Sequence, residues 1–232
     1  MIAVIPARAG SRRIVNKNIQ KFCESPMISY PIRACLDAGV FSQVIVYTDS
    51  EAIAEVALRL GAKVPYVRSA ASSGDHATLS EVLCEFLTQL SMDQELPDLA
   101  CVLATAVFLD GGVLKEACAR FLKGEGRNLI SVARLPVAVE RSLVLDESGC
   151  LGFRYPQYRS TRSQDLPVSY YDAGQFYFLN SGEFARENQI FGAHCEAFEL
   201  DSWRVQDIDT WDDFKEAELK YKYFRDRGLV HG

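Results

Sequence analysis

The 232 residues are 48% hydrophobic and 24% charged, enough for one core with a small accessory lobe and too apolar for a disordered chain. A net charge of −6 gives no global reason to coat nucleic acid or an anionic membrane, so any anion site has to be local. No apolar run approaches the roughly 20 residues of a bilayer span, the apolar start at 2–5 is too short for a signal-peptide core, and the seven scattered cysteines form no Cys-x-x-Cys pair, so a cytoplasmic protein with free thiols is expected.

Short apolar runs alternate with segments of helical period, the pattern of strands joined by crossover helices in a mostly parallel sheet. Residues 2–5 read as a buried strand, 27–38 as a helix closed by Gly39, and 43–48 as a second strand. Asp49 and Ser50 offer a cap to the next helix, in which Ile53, Val56, Ala57 and Leu60 share a face before Gly61 stops it. A third strand is expected at 63–67, then a helix with Leu79, Val82, Leu83, Phe86, Leu87 and Leu90 at helical spacing. With a strand at 99–104, a helix at 110–122 and a strand at 129–134, the first 135 or so residues read as doubly wound α/β.

The texture changes after Pro136, where crossover helices disappear. Residues 142–146 and 150–153, separated by Glu147-Ser148-Gly149, read as a β-hairpin, and 154–169 as a loop by composition. A strand resumes at 174–179, and the chain closes with a strand at 197–200, the segment 205–210 and a helix from near Trp211. The expectation is a single domain over 1–232 with a β-rich lobe inserted at about 136–172.

Two local features carry chemistry. Arg8, Arg12, Arg13, Lys17 and Lys21 follow the first strand, with no acidic residue until Glu24 in an otherwise acidic chain. Open α/β sheets bind ligands at the carboxyl ends of their strands, and Gly10-Ser11 is expected to let backbone amides approach an anion such as a phosphate chain. A merely solvated basic loop is the competing reading. Near the other end, Asp207 and Asp209 are two apart, so in an extended segment both carboxylates point to one side. Mg²⁺ accepts one or two carboxylates, keeps waters and shares phosphate oxygens, so this pair suits a metal bound to a triphosphate. Helix capping at Asp209-Thr210 is the competing reading.

Ile5-Pro6-Ala7-Arg8-Ala9-Gly10-Ser11 with Lys17-Asn18 resembles the nucleotide signature of the acidic-sugar cytidylyltransferases, the family of the CMP-sialic acid synthetases. The resemblance continues through Val46-Tyr47-Thr48-Asp49-Ser50-Glu51, Gly61-Ala62-Lys63-Val64-Pro65, Ala104-Thr105-Ala106 and the Asp207-Ile208-Asp209 segment, covering nearly the whole chain. It implies CTP as co-substrate, contacted by Arg8, Gly10, Ser11, Arg12, Lys17, Asn18, Arg68, Thr78 and Thr105, with Mg²⁺ on Asp207 and Asp209. Arg8, Arg12, Lys17, Asp207 and Asp209 become the catalytic candidates, with Asp207 the nearest side-chain base. Asp49 is left as either a cap or a functional contact.

The run 158–167 together with 171–177 resembles the pseudaminic-acid branch of that family, whose sialic-acid members typically show an Asn-Gly-Ala-Ile-Tyr-like run where Ala173-Gly174-Gln175-Phe176-Tyr177 stands here. Gln175 and Tyr177 alternate onto one strand face with polar ends suited to hydroxyl and acetamido groups, and Arg162 could meet a sugar carboxylate bidentately. The resemblance places Gln164 and Asp172 with them, with Arg141 a weaker partner for the carboxylate. It also implies a homodimer in which the lobe carries Arg162 into the neighbour's site. Sialic, legionaminic or Kdo acids, or CTP binding without transfer, are the alternatives. The chain departs from the family at Arg12, where lysine is usual, at Val107, which replaces a proline and is expected to loosen its turn, and near Asp75-His76-Ala77-Thr78, where the hydroxyl pattern is blurred.

Overall fold

The computed structural model describes residues 1–74, 76–91, 96–124, 127–192 and 194–230. The chain begins with β1 (Ile2–Ala7), which ends in the basic loop. Two short strands, β2 (Lys21–Phe22) and β3 (Ser25–Pro26), form a small ribbon of their own ahead of α1 (Ser29–Ala38). There follow β4 (Gln43–Thr48), α2 (Glu51–Arg59), α3 (Leu79–Ser91), β5 (Leu99–Val102), α4 (Gly111–Lys123) and β6 (Asn128–Arg134). The lobe hairpin is β7 (Leu143–Leu145) with β8 (Leu151–Phe153), and β9 (Tyr170–Leu179), α5 (Ser181–Glu187), β10 (Cys195–Glu199) and α6 (Trp211–Arg225) complete the chain.

Six strands form one sheet in the order β10-β6-β9-β5-β1-β4. β1 pairs in parallel with β4 and β5, β6 in parallel with β10, and only β9 runs antiparallel to its neighbours. Both faces are covered, which is why β1 reads as an unbroken apolar run. Ala3, Ile5 and Ala7 pack on one face with Ile32, Ile53 and Leu114 from α1, α2 and α4. Ile2 and Val4 pack on the other with Val82, Phe86 and Leu90 of α3 and Phe184 of α5. A third apolar cluster joins Ile14 and Phe22, after β1, to Ile208, Phe214 and Tyr221 at the far end of the chain.

The expected strand at 63–67 is reduced to isolated bridges, Ile45 with Lys63 and Thr48 with Val67. Pro65 lies between them and has no N–H for the ladder. The strand expected at 99–104 stops at Val102, because Leu103 to Ala106 closes a turn with Ala106 N–H on the Leu103 carbonyl. β9 starts four residues earlier than its apolar stretch indicated and is bulged against β6 between Ile130 and Val132. Gly174, at φ +59, supplies the left-handed backbone the bulge requires, and the Ser131 hydroxyl accepts the N–H groups of both Gln175 and Phe176.

Helix ends follow local chemistry. Ser50, Asp110 and Thr210 cap α2, α4 and α6, the last as a capping box with Asp213. The lobe hairpin stands apart from the main sheet, with Leu143, Leu145 and Leu151 exposed. No helix among the described residues is long and apolar enough to cross a membrane, and all seven cysteines are free.

α1 and α4 meet at Gly111, where an added Cβ would lie 2.7 Å from the Ala38 nitrogen and 2.8 Å from the Asp37 carbonyl carbon. Those neighbours are backbone and cannot swing aside, so Gly111→Ala is expected to cost about 1–3 kcal/mol by overpacking despite alanine's better helix propensity. A melting midpoint equal to or above wild type would show that the two helices separate freely.

Candidate nucleotide-binding active site

The loops after β1, β4 and β5 gather at the carboxyl ends of these parallel strands, and two adjoining cavities open among them. The first, about 360 Å³, is walled by Arg8, Ser11, Arg12, Arg13, Ile14, Lys17 and Asp209. The second, about 260 Å³, shares Arg8, Ser11 and Lys17 with it and adds Asn18, Arg68 and Thr105. Leu79, Val82, Leu103 and Ala104 give the second cavity an apolar side.

The first loop is shaped by its own polar groups. The Asp49 carboxylate accepts the Ala9 N–H at 2.9 Å, while Ser50 takes the helix cap, so Asp49 is a brace for the loop and not a cap. Asn18 is buried and donates its amide to the Arg8 carbonyl at 3.0 Å. Of the backbone amides expected to approach an anion at Gly10-Ser11, that of Ser11 is turned inward. The Ser11 N–H is spent on the Ala9 carbonyl, the Ala9 N–H is spent on Asp49, and Gly10 has open space where a Cβ would stand. Side-chain cations, Arg8, Arg12, Arg13 and Lys17, line the first cavity.

Lys17 joins this loop to the other end of the chain. Its ammonium donates to the Ile208 carbonyl at 2.5 Å and lies 3.2 Å from Asp209 Oδ1. Arg13 closes on Asp209 Oδ2 at 2.5 Å. The two pairs differ in strength: Arg13 is 62% exposed and its bridge is cheaply opened, whereas Lys17 is only 16% exposed. The sequence named Arg13 within the basic run but gave it no role; only its contact with Asp209 marks it.

Ile208 is fully buried between Asp207 and Asp209, so both carboxylates are turned outward. Asp209 lines the first cavity; Asp207 is exposed and is not among its lining residues. Asp209 is not the helix cap, since Thr210 fills that position and the Asp209 N–H donates to Asp213. No group of three or more His, Cys, Asp and Glu that could hold a metal occurs among the described residues. An oxygen-only pair beside a cationic cavity therefore fits Mg²⁺ sharing phosphate oxygens and water, and does not fit an all-protein metal cage.

Arg68 is 7% exposed, with its Nε donating to the Ser72 carbonyl at 3.0 Å. Burial draws its guanidinium below the ordinary range, opposed chiefly by the charge of Asp49. Thr78, expected to contact nucleotide, caps α3, its hydroxyl facing Glu81 N at 3.3 Å and Glu81 Oε2 at 2.9 Å, and lies on the wall of a third cavity beside the second. Asp75 lies outside the described residues. Val107 does not loosen its turn, because its side chain is buried and its N–H, which proline would lack, donates to the Thr105 carbonyl at 2.8 Å.

The third cavity, about 400 Å³, adjoins the second at Leu79 and is also lined by Asp172, Tyr177, Ser80, Gln189, Ile190 and Phe191. The Tyr177 hydroxyl donates to Asp172 at 2.9 Å, and burial, followed by that carboxylate's charge, pushes the phenol well above its usual range. Gln175 is not a wall of this cavity. It is buried, its amide nitrogen is folded onto the carbonyls of Ala173 and Gly174, and its Oε1 has no hydrogen-bond partner. Arg141 is held inside the lobe, donating to the Arg159 carbonyl and lying over the Phe153 ring, so it is not presented to a ligand here. Gln164 lines a separate cavity at the base of the lobe, and Arg162 is exposed at the start of a short turn at Ser163–Asp165. Phe191, 55% exposed at the cavity mouth, carried no signal in sequence because a lone aromatic in a polar loop has no period to mark it.

A sequence model of the cytidylyltransferase family matches residues 2–224. The pseudaminic acid cytidylyltransferase of Campylobacter jejuni is 36% identical over 95% of this chain and 96% of its own length. An N-acylneuraminate cytidylyltransferase of Streptococcus agalactiae is 28% identical over 92% of this chain and 51% of that protein. Among solved structures, a CMP:2-keto-3-deoxy-manno-octonic acid synthetase complexed with CTP superposes with a TM-score of 0.70 over 96% of this chain and 98% of that one, at 14% identity, a likeness of fold. With a family match across nearly all its length and a full-length relative at this identity, the chain belongs to the cytidylyltransferase family.

Proposed function

We propose that the chain activates an acidic nine-carbon sugar, pseudaminic acid in preference to sialic acid, by transferring CMP to it from CTP. The observation that carries this reading is the pair of joined cavities: one walled by four cations and a single carboxylate, the other part apolar with Arg68, Asn18 and Thr105. A triphosphate suits the first and a flat pyrimidine the second.

The sugar's anomeric hydroxyl attacks the α-phosphorus of CTP; the new O–P bond forms as the bond to pyrophosphate breaks, and the hydroxyl proton is lost. No covalent enzyme intermediate is needed. Arg8, Arg12 and Lys17 neutralise phosphate charge and fix the chain of phosphates for in-line displacement. Lys17 is already oriented by Ile208 and Asp209, so little reorganisation remains when substrate arrives. Asp207 and Asp209 would hold Mg²⁺, which when bound adds positive charge at the phosphate oxygens. The exposed carboxylate of Asp207 is the side-chain candidate to receive the proton.

The acceptor occupies the third cavity, where Asp172 and Tyr177 offer a polar end and Ile190 and Phe191 an apolar one for acetamido methyl groups. None of its lining residues is a cation, so the sugar carboxylate requires one from elsewhere. Arg162 supplies it from a second copy. The lobe supports that role: a hairpin of three-residue strands is marginal alone, and Leu143, Leu145 and Leu151 on it are exposed and uncovered in the single chain. The free thiols fit a reducing, cytoplasmic setting.

With CTP, Mg²⁺ and a panel of acid sugars, pseudaminic acid should release pyrophosphate fastest and give a product of CMP-sugar mass; equal or better turnover of sialic acid would sink the preference. Asp209→Ala should lose at least about 100-fold in kcat while remaining folded, since it removes both a metal ligand and the Lys17 anchor. Near-normal turnover would take Asp209 out of the site. Mixing inactive Asp209→Ala with inactive Arg162→Ala should restore activity, because a mixed dimer contains one site with both residues intact. Mixtures as inactive as their components would place Arg162 in its own subunit's site or outside any.

A further inference from the structure

Arg8 and Arg68, which border the second cavity, both donate to one turn. Arg68 donates through Nε and Nη2 to the Ser72 carbonyl, and Arg8 donates through Nη1 to the carbonyls of Ser73 and Gly74, at 3.3 and 2.9 Å. The 69–74 turn is therefore a shared seat for two cations.

That turn is fixed from behind by Glu85 of α3. One carboxylate oxygen accepts the Ser69 N–H at 2.9 Å and the Tyr47 hydroxyl at 2.5 Å, and the other accepts the Ser69 hydroxyl at 2.8 Å. Gln89, one turn further along α3, donates to Glu85, to the Tyr47 hydroxyl and to the Val67 carbonyl. Within the turn, the Ser69 hydroxyl accepts the Ser72 N–H, and the Ser69 carbonyl accepts the Ser73 N–H at 3.0 Å. A continuous path of hydrogen bonds thus runs from Glu85 through Ser69 to the carbonyls that receive Arg68 and Arg8. Burial alone would raise the Glu85 carboxyl; the bonds from Tyr47 and Ser69 outweigh it and bring the group down to about 2, so it is ionised throughout the physiological range.

Glu85 lines none of the three cavities of the site. We infer that Glu85 is a positioning residue for the nucleotide, setting Arg68 and Arg8 through the Ser69 turn without touching the ligand. The inference rests on the reading of the second cavity as a CTP site. Tyr47 and Gln89 are its supports, orienting the carboxylate from β4 and from within α3.

The test is CTP titration by calorimetry, with CTP and sugar KM and kcat measured beside it, on wild type, Glu85→Ala, Arg68→Ala and the double variant. Glu85→Ala should weaken CTP binding about tenfold, the scale of lost hydrogen bonds to a charged group, raising the CTP KM while the sugar KM holds, with any fall in kcat coming through Arg8. In the Arg68→Ala background the same change should cost clearly less than in wild type, because the branch through Arg68 is already gone and only that through Arg8 remains. Glu85→Gln, which keeps an acceptor oxygen for Tyr47 and the Ser69 N–H, should recover part of the affinity. Wild-type CTP affinity in Glu85→Ala, or losses that simply add in the double variant, would overturn the inference. If Glu85→Ala fails to fold, Ser69→Ala interrupts the same path with the carboxylate retained: a smaller loss confined to CTP supports the inference, and unchanged CTP affinity overturns it. A wild-type chain that binds no CTP removes the parent reading and this inference with it, whereas a wild type that binds and a Glu85→Ala variant that binds equally removes the inference alone.

Discussion

The site depends on the ammonium of Lys17. It is the point at which the first loop of the chain and its last coil segment are tied, across 191 positions of sequence, by bonds to the Ile208 carbonyl and Asp209. Beneath it Ile14 and Ile208 are both fully buried in the cluster that includes Phe22, Phe214 and Tyr221. The apolar contacts supply the free energy for bringing the two ends together, and Lys17 selects the register in which they meet. Without that closure the Asp-x-Asp pair and the basic loop would be two unrelated charge patterns.

A lysine so placed also sets the electrostatics of the cavity. Asp209 has two cationic partners of unequal exposure. In the proposed reaction a triphosphate would compete for part of what Asp209 now binds, and the exposed Arg13 is the partner whose release would cost little. Lys17 stays where the Ile208 carbonyl keeps it. The wall then consists of Arg8, Arg12, released Arg13 and Lys17 against one carboxylate, a strong local reversal in a chain whose net charge is −6.

Most of the fold was legible because its strands are buried on both faces and its helices are stopped by local chemistry. The apolar runs at 2–5, 43–48 and 129–134 and the stripe from Leu79 to Leu90 needed no tertiary information. What escaped was decided by partners distant in sequence. Proline at 65 splits a strand only because β4 is its neighbour, and the β9 bulge exists only because Ser131 lies opposite to accept two amides. The candidate site divides in the same way. Charged residues in a run, or two apart, announce themselves; Asp49 as a loop brace and Glu85 as a support for arginines have no local mark, since each is an ordinary acid at a strand end or on a helix face until the contact is known.

The same distinction explains why the acceptor side was harder to read than the nucleotide side. Alternation along an ideal strand treats Gln175 and Tyr177 as equivalent polar ends, and the bulge makes them unequal. Tyr177 reaches Asp172 across the cavity wall, while Gln175 is turned back on its own backbone with one oxygen unpaired. A buried, unpartnered carboxamide oxygen beside a positive-φ glycine is an uncomfortable arrangement that a sequence rule has no means to anticipate. Because β9 runs against its neighbours, its first residues, and not its last, lie at the edge where the cavities open. One reversed strand thus brings a polar strand end to the carboxyl edge of the parallel strands, which in the proposed reaction would place the acceptor beside CTP.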